Sequence, residues 1–223
     1  MDYVFQFGDV IDARDELLEG VWLTIRLSAV SMVLGLLVAV LCALGRSFGP
    51  RPVKWLITAY VEVIRNTPFL VQIFIIFFGL PTAGIRLSPN NAALLAMVVN
   101  LGAYATEIVR AGIESIHKGQ IEAGLAVGLR PLQVFRYVIL FPAVKTVFPA
   151  LSSQFILLML GSSVVSAISA EELTAVANNI QSRTFRSFEI YIVITGIYLA
   201  LSLAFSGIFS AIDRLVFQRG GAR

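Results

Sequence analysis

Long apolar runs dominate this chain and fall into five blocks, at residues 21–44, 55–80, 92–109, 142–168 and 190–209. A helix that crosses a bilayer needs about 20 predominantly apolar residues. Each block is near or above that length, so the pattern predicts five transmembrane helices and an all-α integral membrane fold. A half-polar stretch, about 113–141, separates the third block from the fourth. In it Ile121, Leu125 and Val127 fall on or near one helical face, and Gly128 supplies a helix stop. Pro131 suits the first turn of a new helix, and Leu132, Phe135 and Ile139 then recur at helical spacing, with Gln133 and Arg136 on another face. The reading is two short helices joined at a sharp glycine-containing turn. From the residues alone, such a hairpin either lies on the lipid surface or docks against a partner.

Composition agrees with a membrane protein: 57% of the 223 residues are hydrophobic and 14% are charged, against roughly 25% charged in soluble domains. The net charge of +3 comes without a basic run or an aromatic-interleaved basic patch, which argues against nucleic acid as a partner. A single cysteine, Cys42, and a single histidine, His117, stand far apart. They offer no internal disulfide, no metal-ligand set and no catalytic constellation, so no catalytic or metal-binding residue is expected. The start of the chain is acidic rather than basic, unlike a signal peptide. The expected division is an extracytoplasmic segment at 1–20, a membrane domain at 21–217 and a cytoplasmic tail at 218–223.

Lysines and arginines between the blocks give the orientation. Arg46, Arg51 and Lys54 lie in the first connection, Arg110, Lys118, Arg130, Arg136 and Lys145 in or beside the third, and Arg214, Arg219 and Arg223 near the end. The opposite side collects only Arg14, Arg86, Arg183 and Arg186. The excess puts the C-terminus and the 113–141 hairpin in the cytoplasm and the N-terminus outside, which an odd number of crossings requires.

Polar groups inside apolar blocks mark candidate pathways, because leaving them in lipid is costly. In the second block Glu62, Arg65, Asn66 and Thr67 precede Pro68, and Gln72 follows one turn later. Proline removes a backbone donor, so the helix is expected to break there. A broken helix near the midplane exposes backbone groups that suit a zwitterion. Thr67 and Gln72 are candidates for the pathway; the alternative is a kink that they merely satisfy. Glu62 and Arg65 are expected to form a structural i,i+3 pair, as are Glu107 and Arg110. Asn100, Ser162 and Ser163 are further pathway candidates, the serines being equally explained as small residues for helix packing. Arg26, near the outer end of the first block, is accounted for by snorkelling to the headgroups.

The motif Glu122-Ala123-Gly124, then Gly128, then Leu140 and Pro142 resembles the EAA loop of ABC importer permeases. Residues 103–113, AYATEIVRAGI, with Gly119-Gln120, resemble the version found in polar amino acid importers, as do residues 65–72, RNTPFLVQ. The three blocks occur in the order of that family, and the likeness covers nearly the whole chain. Gly124 replaces the second alanine of the motif, and Phe141 stands where the family proline usually follows Leu140, which suggests a fourth helix starting near Pro142.

The resemblance implies that Glu122, Ala123, Gly124, Gly128 and Arg130 form a coupling surface for two cytoplasmic ATP-binding subunits. The partners it implies are those ATPases, a second permease chain, identical or paralogous, an extracytoplasmic amino acid-binding protein and the bilayer of the bacterial inner membrane. No G-x-x-x-x-G-K-[ST] run occurs, so ATP and Mg are expected on the ATPase chains and no cofactor on this one. Related permeases often carry Lys-Asp-Thr-Ser where this chain has Leu160-Gly161-Ser162-Ser163. Without that aspartate to pair a cationic side chain, an acidic or uncharged substrate is favoured over a cationic one. The competing readings are a secondary transporter or channel subunit not driven by ATP, and a non-transporting membrane scaffold for an ATPase.

Overall fold

The computed structural model describes residues 4–218, all helix, turn and connecting segment; of the expected tail at 218–223, residues 219–223 lie outside them. A short helix α1 (Gly8–Asp12) leads into α2 (Arg14–Phe48). Next come α3 (Arg51–Arg65) and α4 (Phe69–Phe74), the latter continuing through a π turn (Ile75–Gly79) and a 3-10 turn (Leu80–Ala83). The long α5 (Pro89–Glu114) hands over to α6 (Lys118–Ala126). Then α7 (Pro131–Val134) runs through a π turn (Phe135–Ile139) into α8 (Leu140–Gly161), which ends in a 3-10 turn (Ser162–Ile168). Last are α9 (Leu173–Thr184) and α10 (Ser187–Ile212), with a terminal π turn (Asp213–Gln218).

Four continuous helical stretches have the length and apolarity to cross a membrane, and a bent pair, α3 with α4, makes a fifth. The pair turns through 111° at residues 66–68. Contacts at the two ends show that it completes one crossing. Arg46, near the end of α2, bonds Glu107, near the end of α5. At the other end the Glu171 amide, just before α9, donates to Asn90 Oδ1 at the start of α5, 2.8 Å away. Arg183 of α9 pairs with Glu16 at the start of α2. So α2 and α5 run in the same direction, and the chain between them must return from one face to the other. Five crossings result, and α1 lies at the face opposite the end of α10.

The block at 55–80 is therefore not one straight span. Its first half is an amphipathic helix whose polar residues alternate with exposed Val53, Trp55, Leu56 and Val63. Its second half is too short to cross alone, since about 20 residues are needed. At the other blocks the helices overrun the apolar runs. α2 has 35 residues, about 52 Å at 1.5 Å per residue, and extends beyond a hydrocarbon core of roughly 30 Å. The helix of the fourth crossing begins at Pro131, in the hairpin, rather than near Pro142. Pro142 lies inside helix, just after the π turn at Phe135–Ile139; widening that turn relieves the crowding between a proline ring and the carbonyl four residues before it.

The core is built around α5. Its Met97, Leu101 and Ala105 are fully buried with Ile73 of α4, Met159 of α8 and Val165 of the following turn. On α2 the buried positions include Gly20, Thr24, Ser28, Ser31, Gly35, Ala39 and Ala43, a stripe of small residues at helical spacing. Without a hydrophobic force between helices in lipid, close backbone approach supplies the attraction. At Gly35 a methyl group would sit 2.7 Å from the Leu101 side chain, so glycine is what lets α2 and α5 meet.

Candidate functional site

The first helix and the turn of the hairpin between α5 and α8 are built as the spacing predicts, but its second helix is not a separate short one: it is the start of the continuous stretch Pro131–Ile168. His117 opens α6, its Nδ1 accepting from the Gly119 amide at 3.1 Å. Gly128 ends it with φ +85, a left-handed conformation that costs glycine nothing and other residues about 1–2 kcal/mol. The Leu129 amide then reaches the Gly124 carbonyl (3.2 Å) and the Gly128 amide the Leu125 carbonyl (2.9 Å), a paired closure of the helix end. Arg130 precedes α7, its amide donating to Gln133 Oε1 at 2.8 Å. Glu122, Ala123, Gly128 and Arg130 are exposed, while Gly124 is buried. A methyl group on Gly124 would lie 3.3 Å from both Val134 and Val138. The small residue thus serves approach within the hairpin, not approach to a partner. Outside, Val127 and Leu132 are each 78% exposed and Tyr137 66%; with Gln120 and Ala123, Val127 and Tyr137 line an open concavity. An ordered hairpin that presents this much apolar surface beside a free carboxylate and a guanidinium has the features of a docking element.

At the break between α3 and α4, Thr67, Gln72 and Asn100 come together. Gln72 is buried, and its side-chain amide donates to the carbonyls of Ile64 (2.7 Å) and Thr67 (3.0 Å) and to the Thr67 hydroxyl (3.0 Å). Asn100 of α5 donates to Gln72 Oε1 at 2.9 Å. The Thr67 hydroxyl also returns to the Val63 carbonyl at 2.9 Å. The bond from Gln72 to Ile64 satisfies the one carbonyl that Pro68 leaves without a donor, and the others serve the carbonyls around the end of α3. The 3-10 turn carrying Ser162 and Ser163 packs against α4. Both serine hydroxyls bond their own helix, Ser162 to the Met159 carbonyl (2.7 Å) and Ser163 to the Leu160 carbonyl (2.8 Å). Ser162 is fully buried, so it holds that turn rather than facing a pathway in this chain. A methyl group on Gly161 would meet nothing within 4 Å, and that position borders open space.

The expected Glu62–Arg65 pair does not form. The helix ends at Arg65, and Asn66, folded back one turn, donates its side-chain amide to the Glu62 carboxylate at 3.1 Å. Arg65 instead lies over the Tyr104 ring of α5, 5.5 Å from its centre, a cation–π contact. Glu107 and Arg110 do pair, at 2.8 Å, within a larger cluster in which Arg46 also bonds Glu107 and Arg110 also bonds Glu114.

Sequence reasoning missed the polar staple at the opposite face. Glu172 is fully buried and caps α9, accepting from the Thr174 and Ala175 amides (2.9 and 2.8 Å) and from the Tyr198 hydroxyl (2.6 Å). Burial pushes its carboxyl above the ordinary value, against the lowering by those hydrogen bonds. The signal was the run Glu171-Glu172-Leu173-Thr174 ahead of a half-polar helical segment, an acidic residue at a helix start.

Residues 31–218 match the family described as "Binding-protein-dependent transport system inner membrane component". The chain is 35% identical over 212 residues to the glutamine transport system permease protein GlnP of Escherichia coli strain K12, covering 94% of this chain and 97% of that one. It is 38% identical over 196 residues to the L-cystine transport system permease protein TcyB of Bacillus subtilis strain 168, with 87% and 84% covered. To the arginine transport system permease protein ArtQ of the same organism it is 33% identical over 209 residues, with 93% and 95% covered. Among solved structures, an amino acid ABC transporter crystallised with histidines superposes with TM-score 0.89 at 35% identity, covering 96% of this chain and 100% of that one. With the five-crossing topology and the ordered hairpin, these likenesses identify the chain: it belongs to the binding-protein-dependent transport permeases and is the membrane-spanning permease component of an amino acid ABC importer of the bacterial inner membrane.

Proposed function

We propose that this chain forms one half of the translocation pathway of an importer for a polar amino acid, with its hairpin seated on a cytoplasmic ATPase. The observation that carries the reading is the hairpin itself: Glu122 and Arg130 exposed beside the apolar Val127, Leu132 and Tyr137, on a turn fixed by Gly128. Glu122, Ala123 and Arg130 make the contact, and Gly124 and Gly128 hold its shape. Two ATPase subunits bind and hydrolyse ATP with Mg, and a second permease chain completes the pore. An extracytoplasmic binding protein delivers the amino acid. Closure of the ATPases moves the hairpins and switches the pathway between its two openings.

In this reading α1, α9 and the N-terminus face outside, and the hairpin and C-terminal end face the cytoplasm. The distribution of charge supports it. The end that carries the hairpin gathers Arg46, Arg51, Lys54, Lys118, Arg130 and Arg136, against Arg14, Arg86, Arg183 and Arg186 at the α1 end, the excess that the positive-inside rule associates with the cytoplasm. Thr67, Gln72 and Asn100 shape the pathway at the break, Ser163 borders it, and buried Ser162 holds the turn behind it. The substrate is an uncharged or acidic amino acid, because Leu160 and Gly161 supply no carboxylate for a cationic side chain. Uptake by the transporter reconstituted with its ATPase and binding protein tests the proposal.

A further inference from the structure

We propose that Glu107 is a positioning residue that ties the root of the hairpin to the root of the broken helix, so that ATPase-driven motion reaches the break through its carboxylate. The inference rests on the coupling role proposed for the hairpin. Glu107 sits two turns before the end of α5, and α5 leads through Ser115 and Ile116 into α6. Arg46 sits in the last turn of α2, and α2 leads through Gly49 and Pro50 into α3 and so to the break. The Arg46–Glu107 bond joins these two roots across 61 residues of sequence.

The rest of the cluster makes the joint stiff. The second carboxylate oxygen of Glu107 takes both Nε and Nη2 of Arg110, at 3.2 and 2.8 Å. Arg110 is held in turn by Glu114, one turn closer to the hairpin. Arg65, at the end of α3, lies over the ring of Tyr104, which sits on α5 one turn before Glu107. Arginines from α2 and α5 thus hold one carboxylate whose side chain is only 19% exposed. Such half-buried, charge-assisted bonds resist shear far better than surface pairs. Removing Glu107 leaves Arg46 and Arg110 facing each other with no anion between them. A displaced hairpin would then carry the ends of α2 and α3 less firmly, although α5 stays packed on α2 and bonded to Tyr60 of α3 deeper in the bundle.

The test uses the complete transporter in proteoliposomes and measures uptake and ATP hydrolysis together. Glu107→Gln is expected to lower substrate moved per ATP by roughly tenfold, an ordinary size for a coupling free energy, with hydrolysis within about twofold of wild type. The double variant R46E/E107R, which restores an opposite-charge pair, is expected to recover at least part of that ratio, and Arg46→Lys to retain most of it. A wild-type ratio in Glu107→Gln overturns the inference. So does an Arg46→Gln variant that assembles and keeps the wild-type ratio. Should Glu107→Gln not assemble, the ratio of Arg46→Lys relative to Arg46→Gln decides, equal ratios overturning it. Glu122→Arg in the same assay separates the two readings: if it uncouples and Glu107→Gln does not, only the role of Glu107 falls. If Glu122→Arg leaves coupled uptake intact, the coupling role of the hairpin falls with it.

Discussion

The side-chain amide of Gln72 donates to the carbonyl of Ile64, 2.7 Å away and eight residues earlier, across the break at Pro68. The same amide serves the Thr67 carbonyl, and its own oxygen takes the Asn100 amide. One buried side chain thus stands in for the backbone donor that proline lacks. Gln72→Leu removes the donor and leaves those carbonyls without it. Thermal unfolding in detergent is expected to show a loss of about 2 kcal/mol and a midpoint lower by several degrees. Asn100→Leu, which spares the carbonyls and strips only the outer bond, should cost about half as much.

Gly128 adopts φ +85 with nothing within 4 Å of an added methyl group. Its replacement therefore tests backbone conformation free of steric crowding. Gly128→Ala is expected to cost about 1 kcal/mol of hairpin order and Gly128→Asn less, because Asn tolerates the left-handed region. Affinity for the ATPase subunit, measured by titration in detergent, should fall in the order Gly, Asn, Ala.

Two other glycines give opposite expectations. At Gly112 of α5 a methyl group would lie 2.2 Å from the Val147 side chain and 3.1 Å from the Ala143 carbonyl of α8. Gly112→Val should therefore destabilise by about 1–3 kcal/mol through overpacking. Gly161→Ala, which meets nothing within 4 Å at a helical φ of −67, should instead raise stability by about 0.4–1 kcal/mol, read as a higher melting midpoint.

Glu172 predicts a pH dependence. Burial raises its carboxyl above the unfolded value, so between those two values the native state holds more protons than the unfolded state. Stability conferred by the protonated form is then present below the unfolded value and is lost as pH rises through the folded one. The melting midpoint should fall over that window and level off above it. Glu172→Gln, neutral at every pH, should flatten the slope across the same window.

The sequence made some of this plain and hid the rest for physical reasons. Apolar block length revealed the number of crossings, and Gly128 with Pro131 revealed the two-helix hairpin, because both signals are local. The 111° turn was only half visible: Pro68 marked a break, but the angle depends on Gln72 and Asn100 meeting from separate helices. The Glu62–Arg65 pairing failed for a similar reason. Helical spacing holds only inside a helix, and this one ends at Arg65, where Asn66 takes the carboxylate and Tyr104 of another helix takes the guanidinium. The motif places Gly124 in the coupling surface but gives no direction for it, and it faces Val134 and Val138. The Arg46–Glu107 bond links positions 61 residues apart and left no periodic trace at all.

Force received by the hairpin from an ATPase is proposed to move the amino acid through this chain. The most direct test is uptake into proteoliposomes holding the complete transporter, with ATP inside and binding protein with labelled amino acid outside. Uptake is expected to require both ATP and the binding protein, and a Glu122→Arg variant is expected to hydrolyse ATP without importing. Undiminished uptake driven by an ion gradient in the absence of ATP would contradict it.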